Sequence, residues 1–192
     1  KWIDFMFAFI NQLVRVAEYE KSEKWCRIAL KICENELRGN YLITAQGYNN
    51  LAMVYECKGK YKEAEELFKK VILMREKVLG KEHLGTANSY NNLAVVYMSI
   101  GRYKEAEELF KKVLFIREKV LGEDYLELAT GYCYNNLGVV YDIQGRYKEA
   151  EELYKKAILI REKVLGKEHL DTVNGYNNLA MVYKSQGRYK EA

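Results

Sequence analysis

The chain has 192 residues, 49% of them apolar and 30% charged, with a formal net charge of +4 and no proline. That balance excludes an intrinsically disordered chain. The basic and acidic residues alternate in mixed blocks such as Lys62-Glu63 and Glu65-Glu66 before Lys69-Lys70, with no basic stripe interleaved with aromatics, which excludes a nucleic-acid footprint.

In chain order, the first element is a helix over Trp2–Val16. It is aromatic and apolar, but Asp4, Asn11, Gln12 and Arg15 interrupt it, so it is neither a signal core nor a membrane span. The string Tyr-Asn-Asn-Leu then recurs at Tyr48, Tyr90, Tyr134 and Tyr176, at offsets of 42, 44 and 42 residues. A fixed period of this size marks supersecondary units that bury their apolar faces only by stacking on one another. Counting back from Tyr48 reaches Met6, with Phe9 in place of Leu51, Ala17 of Gly59, Tyr19 of Tyr61, Ser22 of Ala64 and Leu37 of Leu79. Residues 1–47 are therefore expected to form a degenerate first repeat or cap, followed by repeats at 48–89, 90–133, 134–175 and 176–192. The 90–133 repeat carries two extra residues, and the last is expected to be truncated, part of a longer protein whose initiator Met is missing.

Within the repeat that starts at Tyr48, that residue with Leu51, Ala52 and Tyr55 forms one apolar stripe, and Gly59 ends the helix in a tight turn. A second, antiparallel helix opens near Tyr61. Ala64, Leu67, Phe68, Val71, Ile72, Arg75, Val78 and Leu79 face inward in this reading, and Lys62, Glu63, Glu65, Glu66, Lys69 and Lys70 face water. By the same register Glu107 lies on the wet face, and its replacement by Ala should change stability by no more than about 0.5 kcal/mol. Gly80 is expected to be a left-handed C-terminal cap before the connector Lys81-Glu82-His83. Turns should recur at Gly101, Gly145 and Gly187, and connectors around 80–84, 122–126 and 166–170. Ala52, Ala94, Gly138 and Ala180 with Ala64, Ala106 and Ala150 sit where helices must approach closely, opposite Phe68, Phe110 and Tyr154.

These residues resemble the tetratricopeptide repeat: an aromatic, then Leu-Ala or Leu-Gly, then Tyr, Gly, Tyr, Ala and an aromatic, in order. The longer form, with Gly-Arg-Tyr-Lys-Glu-Ala-Glu and Ile-Arg-Glu-Lys-Val-Leu-Gly, resembles the repeats of kinesin light chains and similar arrays of microbial signalling proteins. The resemblance implies an all-α, right-handed α-solenoid of stacked antiparallel helix pairs. It departs at Leu84, Leu126 and Leu170, with Leu42 in the degenerate repeat, where the family usually has proline; those first turns should be less rigid.

Asn49, Asn50 and Met53 lie off the inward stripe, as do Asn91, Asn92 and Val95, then Asn135, Asn136 and Val139, then Asn177, Asn178 and Met181. First helices line the concave side in the resembled family. Amides that both donate and accept, over an apolar floor of Met and Val, suit the main chain of an extended peptide. The competing reading is that one Asn of each pair bonds within the helix layer.

Catalysis has no support, since no HExxH, GxSxG, Walker loop or GxGxxG occurs. His83 and His169 occupy equivalent connector positions whose counterpart between them is Tyr125, which argues against a metal or catalytic pair. No cofactor is expected. Cys26, Cys33, Cys57 and Cys133 form no CxxC pair, and Cys26 and Cys33 are too far apart along one helix to bridge, which points to a reducing, cytoplasmic setting.

The expected function is a monomeric scaffold that binds a partner protein or peptide in its groove, in the manner of a cargo adaptor, with no nucleic acid or membrane partner. The truncated last repeat offers a surface for end-to-end association. Two alternatives stand beside it. One is the sensor arm of a larger microbial enzyme, a STAND-type nucleotide switch or caspase-like protease. The other is a recently duplicated or engineered array without an evolved ligand, since Gly101–Gly122 and Gly145–Gly166 differ only at 110/154, 113/157, 114/158 and 115/159.

Overall fold

The computed structural model describes residues 2–36, 40–122 and 128–192. Among these residues the chain forms α1 (Trp2–Arg15), α2 (Tyr19–Glu36), α3 (Tyr41–Cys57), α4 (Tyr61–Leu79), α5 (Leu84–Ser99), α6 (Tyr103–Leu121), α7 (Leu128–Ile143), α8 (Tyr147–Leu165) and α9 (Leu170–Ser185), with no strand. They form two compact units, 1–100 and 101–192. In the first, α1 packs on α2 and α3, α3 on α4, and α4 on α5; in the second, α7 sits between α6 and α8 and also meets α9, which packs on α8. Each unit is thus a stack of helix pairs, as the sequence period requires. Residues 123–126 of the connector expected at 122–126, and the Leu37 match, lie outside the described residues.

The turns follow from glycine. Gly59 has φ +70°, its N–H bonds to the Glu56 carbonyl at 2.9 Å, and the Lys60 N–H reaches back to Tyr55 at 2.8 Å. This paired 6→1 and 5→2 arrangement terminates a helix with one residue in the left-handed region. The degenerate repeat uses the same device with an alanine. Ala17 has φ +59°, and the Ala17 and Glu18 N–H groups bond to Val14 and Leu13 at 3.0 and 2.9 Å.

Gly80 departs from expectation. Its φ and ψ are +91° and 163°, which is not the left-handed helical cap but an extended conformation open essentially to glycine alone. The chain leaves α4 abruptly this way. His83 then caps α5, its Nδ1 accepting the Gly85 N–H at 2.9 Å, and His169 caps α9 through the Asp171 N–H at 3.2 Å. Leu84 and Leu170 are the first helical residues, the positions that proline takes in the resembled family.

The inward stripes are as read: Leu51, Ala52, Leu93, Ala94, Leu137 and Gly138 are buried, and so are Ala64, Ala106 and Ala150 opposite Phe68, Phe110 and Tyr154. In α1 the buried stripe is Ile3, Met6, Phe7 and Ile10. Phe9, matched to Leu51 by counting, is exposed and stands edge-on to Trp25.

Two features of the even helices differ from the reading. Val78, placed inward, is 46% exposed, and it is the adjacent Leu79 of the same turn that is half-buried, beside Gly85. Glu107, placed on the wet face, has a side chain only 15% exposed. It accepts from Lys111 at 2.7 Å, Arg146 at 2.9 Å and Gln144 at 3.3 Å. Glu65 is its counterpart in α4 and holds Lys69 and the Tyr97 hydroxyl. This row of glutamates ties each even helix to the following pair instead of facing solvent.

Candidate functional site

The site begins with the clasp that sets the odd helices in register. The tyrosine of each Tyr-Asn-Asn-Leu motif donates its hydroxyl to the glutamate of the preceding Arg-Glu-Lys: Tyr48 to Glu34 in the degenerate repeat, then Tyr90 to Glu76, Tyr134 to Glu118 and Tyr176 to Glu162. Burial and the Glu34 carboxylate push the Tyr48 phenol up to about 12. Two asparagines follow that tyrosine on each odd helix.

Their placement is uneven. Asn49 and Asn50 are buried; Met53, Asn91, Asn92, Val95, Asn135, Asn136, Val139 and Asn178 are half-buried; Asn177 and Met181 are exposed. The structure joins Asn92 of α5 to Asn49 of α3, Nδ2 to Oδ1 at 3.1 Å, and Asn178 of α9 to Asn135 of α7 in the same sense at 3.2 Å. Asn49 also turns its own Nδ2 toward the Met53 sulfur at 3.4 Å. Each joined pair bonds within the helix layer through the oxygen of one amide and the NH2 of the other. Asn91 Oδ1 and Asn50 Nδ2 are buried without a hydrogen-bond partner.

The arginine of Arg-Glu-Lys supplies what the sequence reading missed. Arg75 was counted with an apolar stripe, yet its guanidinium reaches the odd-helix layer and donates to the Gly85 carbonyl and Ser89 Oγ at 2.9 Å each, and to Gln46 Oε1 at 3.2 Å. Arg161, 3% exposed, donates to the Asp171 carbonyl at 2.8 Å and Asn135 Oδ1 at 3.4 Å, and faces the Tyr132 ring. Burial lowers the pKa of both guanidinium groups, without bringing either into a range where it could lose its proton. The signal was available: an arginine at inward spacing cannot be left without acceptors, and the nearest are amide and backbone oxygens of the next odd helix.

The carboxylates on this face are also perturbed. Burial raises the pKa of Glu56 on α3 and of Asp142 on α7. The four thiols are free, with only Cys57 exposed, and burial pushes Cys26 up to about 12. Among the described residues, no three of His, Cys, Asp and Glu converge on a point where a metal ion could sit, and no helix is long and apolar enough to cross a membrane.

Stacked helix pairs tied by a repeated Tyr–Glu clasp, with an arginine and paired amides along one helix layer, define a helical repeat protein of the interaction-scaffold kind. The chain matches the tetratricopeptide repeat over residues 11–72, 44–119, 85–157 and 127–192, and it belongs to that family. Among solved structures it resembles BtubC (BKLC) of P. vanneervenii, with 22% identity over 99% of this chain and 75% of that one and a TM-score of 0.84. It also resembles a Podosopora anserina putative kinesin light chain with nearly identical TPR-like repeats, at 24% identity, 98% and 89% coverage and a TM-score of 0.79. The apo form of RapI matches at 19% identity, 99% and 66% coverage and a TM-score of 0.80. No curated protein sequence matches the chain.

Proposed function

We propose that this chain is a non-catalytic scaffold that binds a partner protein as an extended peptide along its odd-helix face, in the manner of a cargo adaptor. The tetratricopeptide repeat is in general a protein-interaction module, which supports the class. The likeness to a putative kinesin light chain supports the adaptor reading over the sensor-arm alternative.

The observation that carries the reading is the polarity of the amides. Asn49 Oδ1 is taken by Asn92, and Asn135 Oδ1 by Asn178 and Arg161. The bonds leave N–H groups on Asn49 and Asn135 and carbonyl oxygens on Asn92 and Asn178 to meet a ligand. A peptide main chain offers both acceptors and donors to such groups at every residue, and Val95, Val139 and Met181 supply apolar contact between them.

The test is selection of binders from a displayed random-peptide library on the immobilised protein, followed by calorimetry on the purified peptides. Asn92→Ala with Asn136→Ala should weaken a selected peptide by roughly 1–3 kcal/mol, the cost of leaving desolvated partners unpaired. Lys62→Glu with Lys148→Glu, on exposed turns of even helices, should leave its affinity within about 1 kcal/mol. Affinity lost in the second variant and kept in the first would place recognition on the even helices and overturn the reading.

A further inference from the structure

Four exposed aromatic side chains meet at one place in the first unit. Trp2, Phe5 and Phe9 run along α1, Trp25 of α2 stands edge-on to Phe9 with ring centroids 5.7 Å apart, and with Met6 they border an apolar cavity of about 310 Å³. We infer that this aromatic face joins two copies of the chain across a two-fold axis, with the two α1 helices crossing antiparallel. Such a dimer takes the place of the monomer expected from the sequence, and it does not depend on where peptides bind.

The other repeats show what is unusual about these rings. Counting on from Phe5 by the repeat offsets reaches Gly47, Ser89, Cys133 and Gly175, all of them buried. At these positions an odd helix comes close to the even helix before it. A Cβ on Gly47 would lie 2.8 Å from Leu30 of α2, one on Gly175 would lie 2.9 Å from Ile158 of α8, and the Cys133 thiol donates to the Phe110 carbonyl of α6 at 3.6 Å. Trp2 likewise stands where Thr86, Thr130 and Thr172 are buried. Rings at both positions hold off any helix that would sit on α1 as α2 sits on α3. The face is shaped for something other than a repeat at the usual spacing, and α1 meets its own unit through a different stripe, Ile3, Met6, Phe7 and Ile10.

Area and shape both point to a second copy. Trp2, Phe5, Phe9 and Trp25 are 60%, 72%, 40% and 37% exposed. At roughly 200 Å² for an aromatic side chain, these fractions leave on the order of 400 Å² uncovered. A stable dimer buries about 600 Å² or more from each copy, so the rings supply roughly two-thirds of it, the apolar share usual in a homodimer interface. Ile28 and the exposed Asp4, Lys21 and Lys24 flank the rings in sequence and can form the rim. The face carries a hollow together with rings that can fill it, which makes it complementary to itself after a half turn. Phe5 follows Trp2 by three residues and precedes Phe9 by four, so it lies at the middle of the stripe. An antiparallel crossing therefore sets Phe5 on Phe5 at the axis and Trp2 of each copy against Phe9 and Trp25 of the other, as offset or edge-on ring pairs. It also opposes the two helix dipoles.

Trp2 and Trp25 are the chain's only tryptophans, so tryptophan fluorescence reports on this face alone. The experiment is sedimentation equilibrium with a reducing agent present, which keeps the exposed Cys57 from linking copies, alongside tryptophan emission over the same dilution series. A monomer–dimer equilibrium with a dissociation constant in roughly the micromolar range is expected. On dilution the emission should shift to the red and become more open to quenching by acrylamide. Phe5→Glu, at an exposed position, should raise the constant by about a hundredfold or more, and Phe5→Ala by roughly tenfold or more. Both should keep the helical circular dichroism of the parent; if the charged variant does not, the alanine variant decides. Tyr189→Glu, equally exposed but in the second unit, should leave the constant unchanged. A chain still monomeric at roughly 100 µM, where a micromolar dimer would be almost fully formed, overturns the inference. So do assemblies that grow beyond the dimer, a dimer lost with Tyr189→Glu but kept with Phe5→Glu, and a dimer whose tryptophan emission does not change on dissociation.

Discussion

The ring of Tyr154 occupies the space that a methyl group on residue 138 would need: a Cβ on Gly138 would lie 2.8 Å from the ring Cε1 and 3.0 Å from Cδ1. Both residues are buried, and the equivalent pair in the first unit is Ala52 with Phe68, also buried. The smaller residue on the odd helix thus accompanies the larger ring on the even one. Gly138→Ala should lower the urea midpoint, because overpacking costs roughly 1–3 kcal/mol against a helix-propensity gain of about 1 kcal/mol. Adding Tyr154→Phe recreates the Ala/Phe pair of the first unit and should recover about 1 kcal/mol of the loss. A Gly138→Ala variant more stable than the parent would show that the ring yields freely and that no such coupling exists.

Ala17 is the residue that the repeat count aligned with the turn glycines, and it has their backbone conformation, at φ +59°. A left-handed alanine costs roughly 1–2 kcal/mol, of which the greater chain entropy of glycine returns a part. The side chain is exposed, so nothing is lost by removing it. Ala17→Gly should therefore raise stability by up to about 1 kcal/mol, measured by denaturant unfolding. No change, or a loss, would mean that the turn relaxes in solution.

How much of this was legible depended on whether a residue's partner lies within its own helix. The stripes at Leu51/Ala52 and Phe68/Val71, the turns at Gly59 and Gly145, and the small residues at Ala64 and Ala106 are consequences of local period and sterics, and the sequence displays them. Glu107 was misplaced because its near partner, Lys111, is visible one turn away, whereas Arg146 and Gln144 reach it only once the next helix pair has folded back. Arg75 was placed on the correct face without its role, since Gly85 and Ser89 become its acceptors only through the course of the connector. At the candidate site the amide pairs were found by repetition, but which oxygen each one commits is a property of neighbouring helices.

The Glu107 node gives stability a defined dependence on acid. Burial alone would raise the carboxyl, but the hydrogen bonds from Lys111, Arg146 and Gln144 outweigh it and lower the pKa from 4.5 to about 2. A folded-state value below the unfolded one means that the contribution is complete above the unfolded pKa of about 4.3 and is lost as pH falls toward the folded value. Between pH 7 and about 5 the node should add no slope; from there down to about pH 2 it should remove roughly 1.5–3 kcal/mol, the range for hydrogen bonds to a charged group. Glu107→Gln should be less stable at neutral pH and show a shallower acid limb. Parallel acid limbs for the two proteins in urea titrations would rule the node out as a source of acid sensitivity.

The Tyr–Glu clasps should differ in strength along the chain because their surroundings differ, although their sequences do not. Tyr134 is 2% exposed and donates to Glu118 at 2.8 Å, whereas Tyr176, which donates to Glu162, is 37% exposed. A hydrogen bond to a carboxylate contributes more where water does not compete, and Glu118 itself remains exposed and can rehydrate when the hydroxyl is removed. Tyr134→Phe should accordingly cost about 1 kcal/mol and Tyr176→Phe about 0.5 kcal/mol or less. The cycle of Tyr134→Phe with Glu118→Gln isolates the pair from the packing of the ring, which both tyrosine variants keep, and should return a coupling of 0.5 kcal/mol or more. Equal losses at the two tyrosines, or a coupling near zero, would show that the ring, not the hydroxyl, holds the odd helices in register.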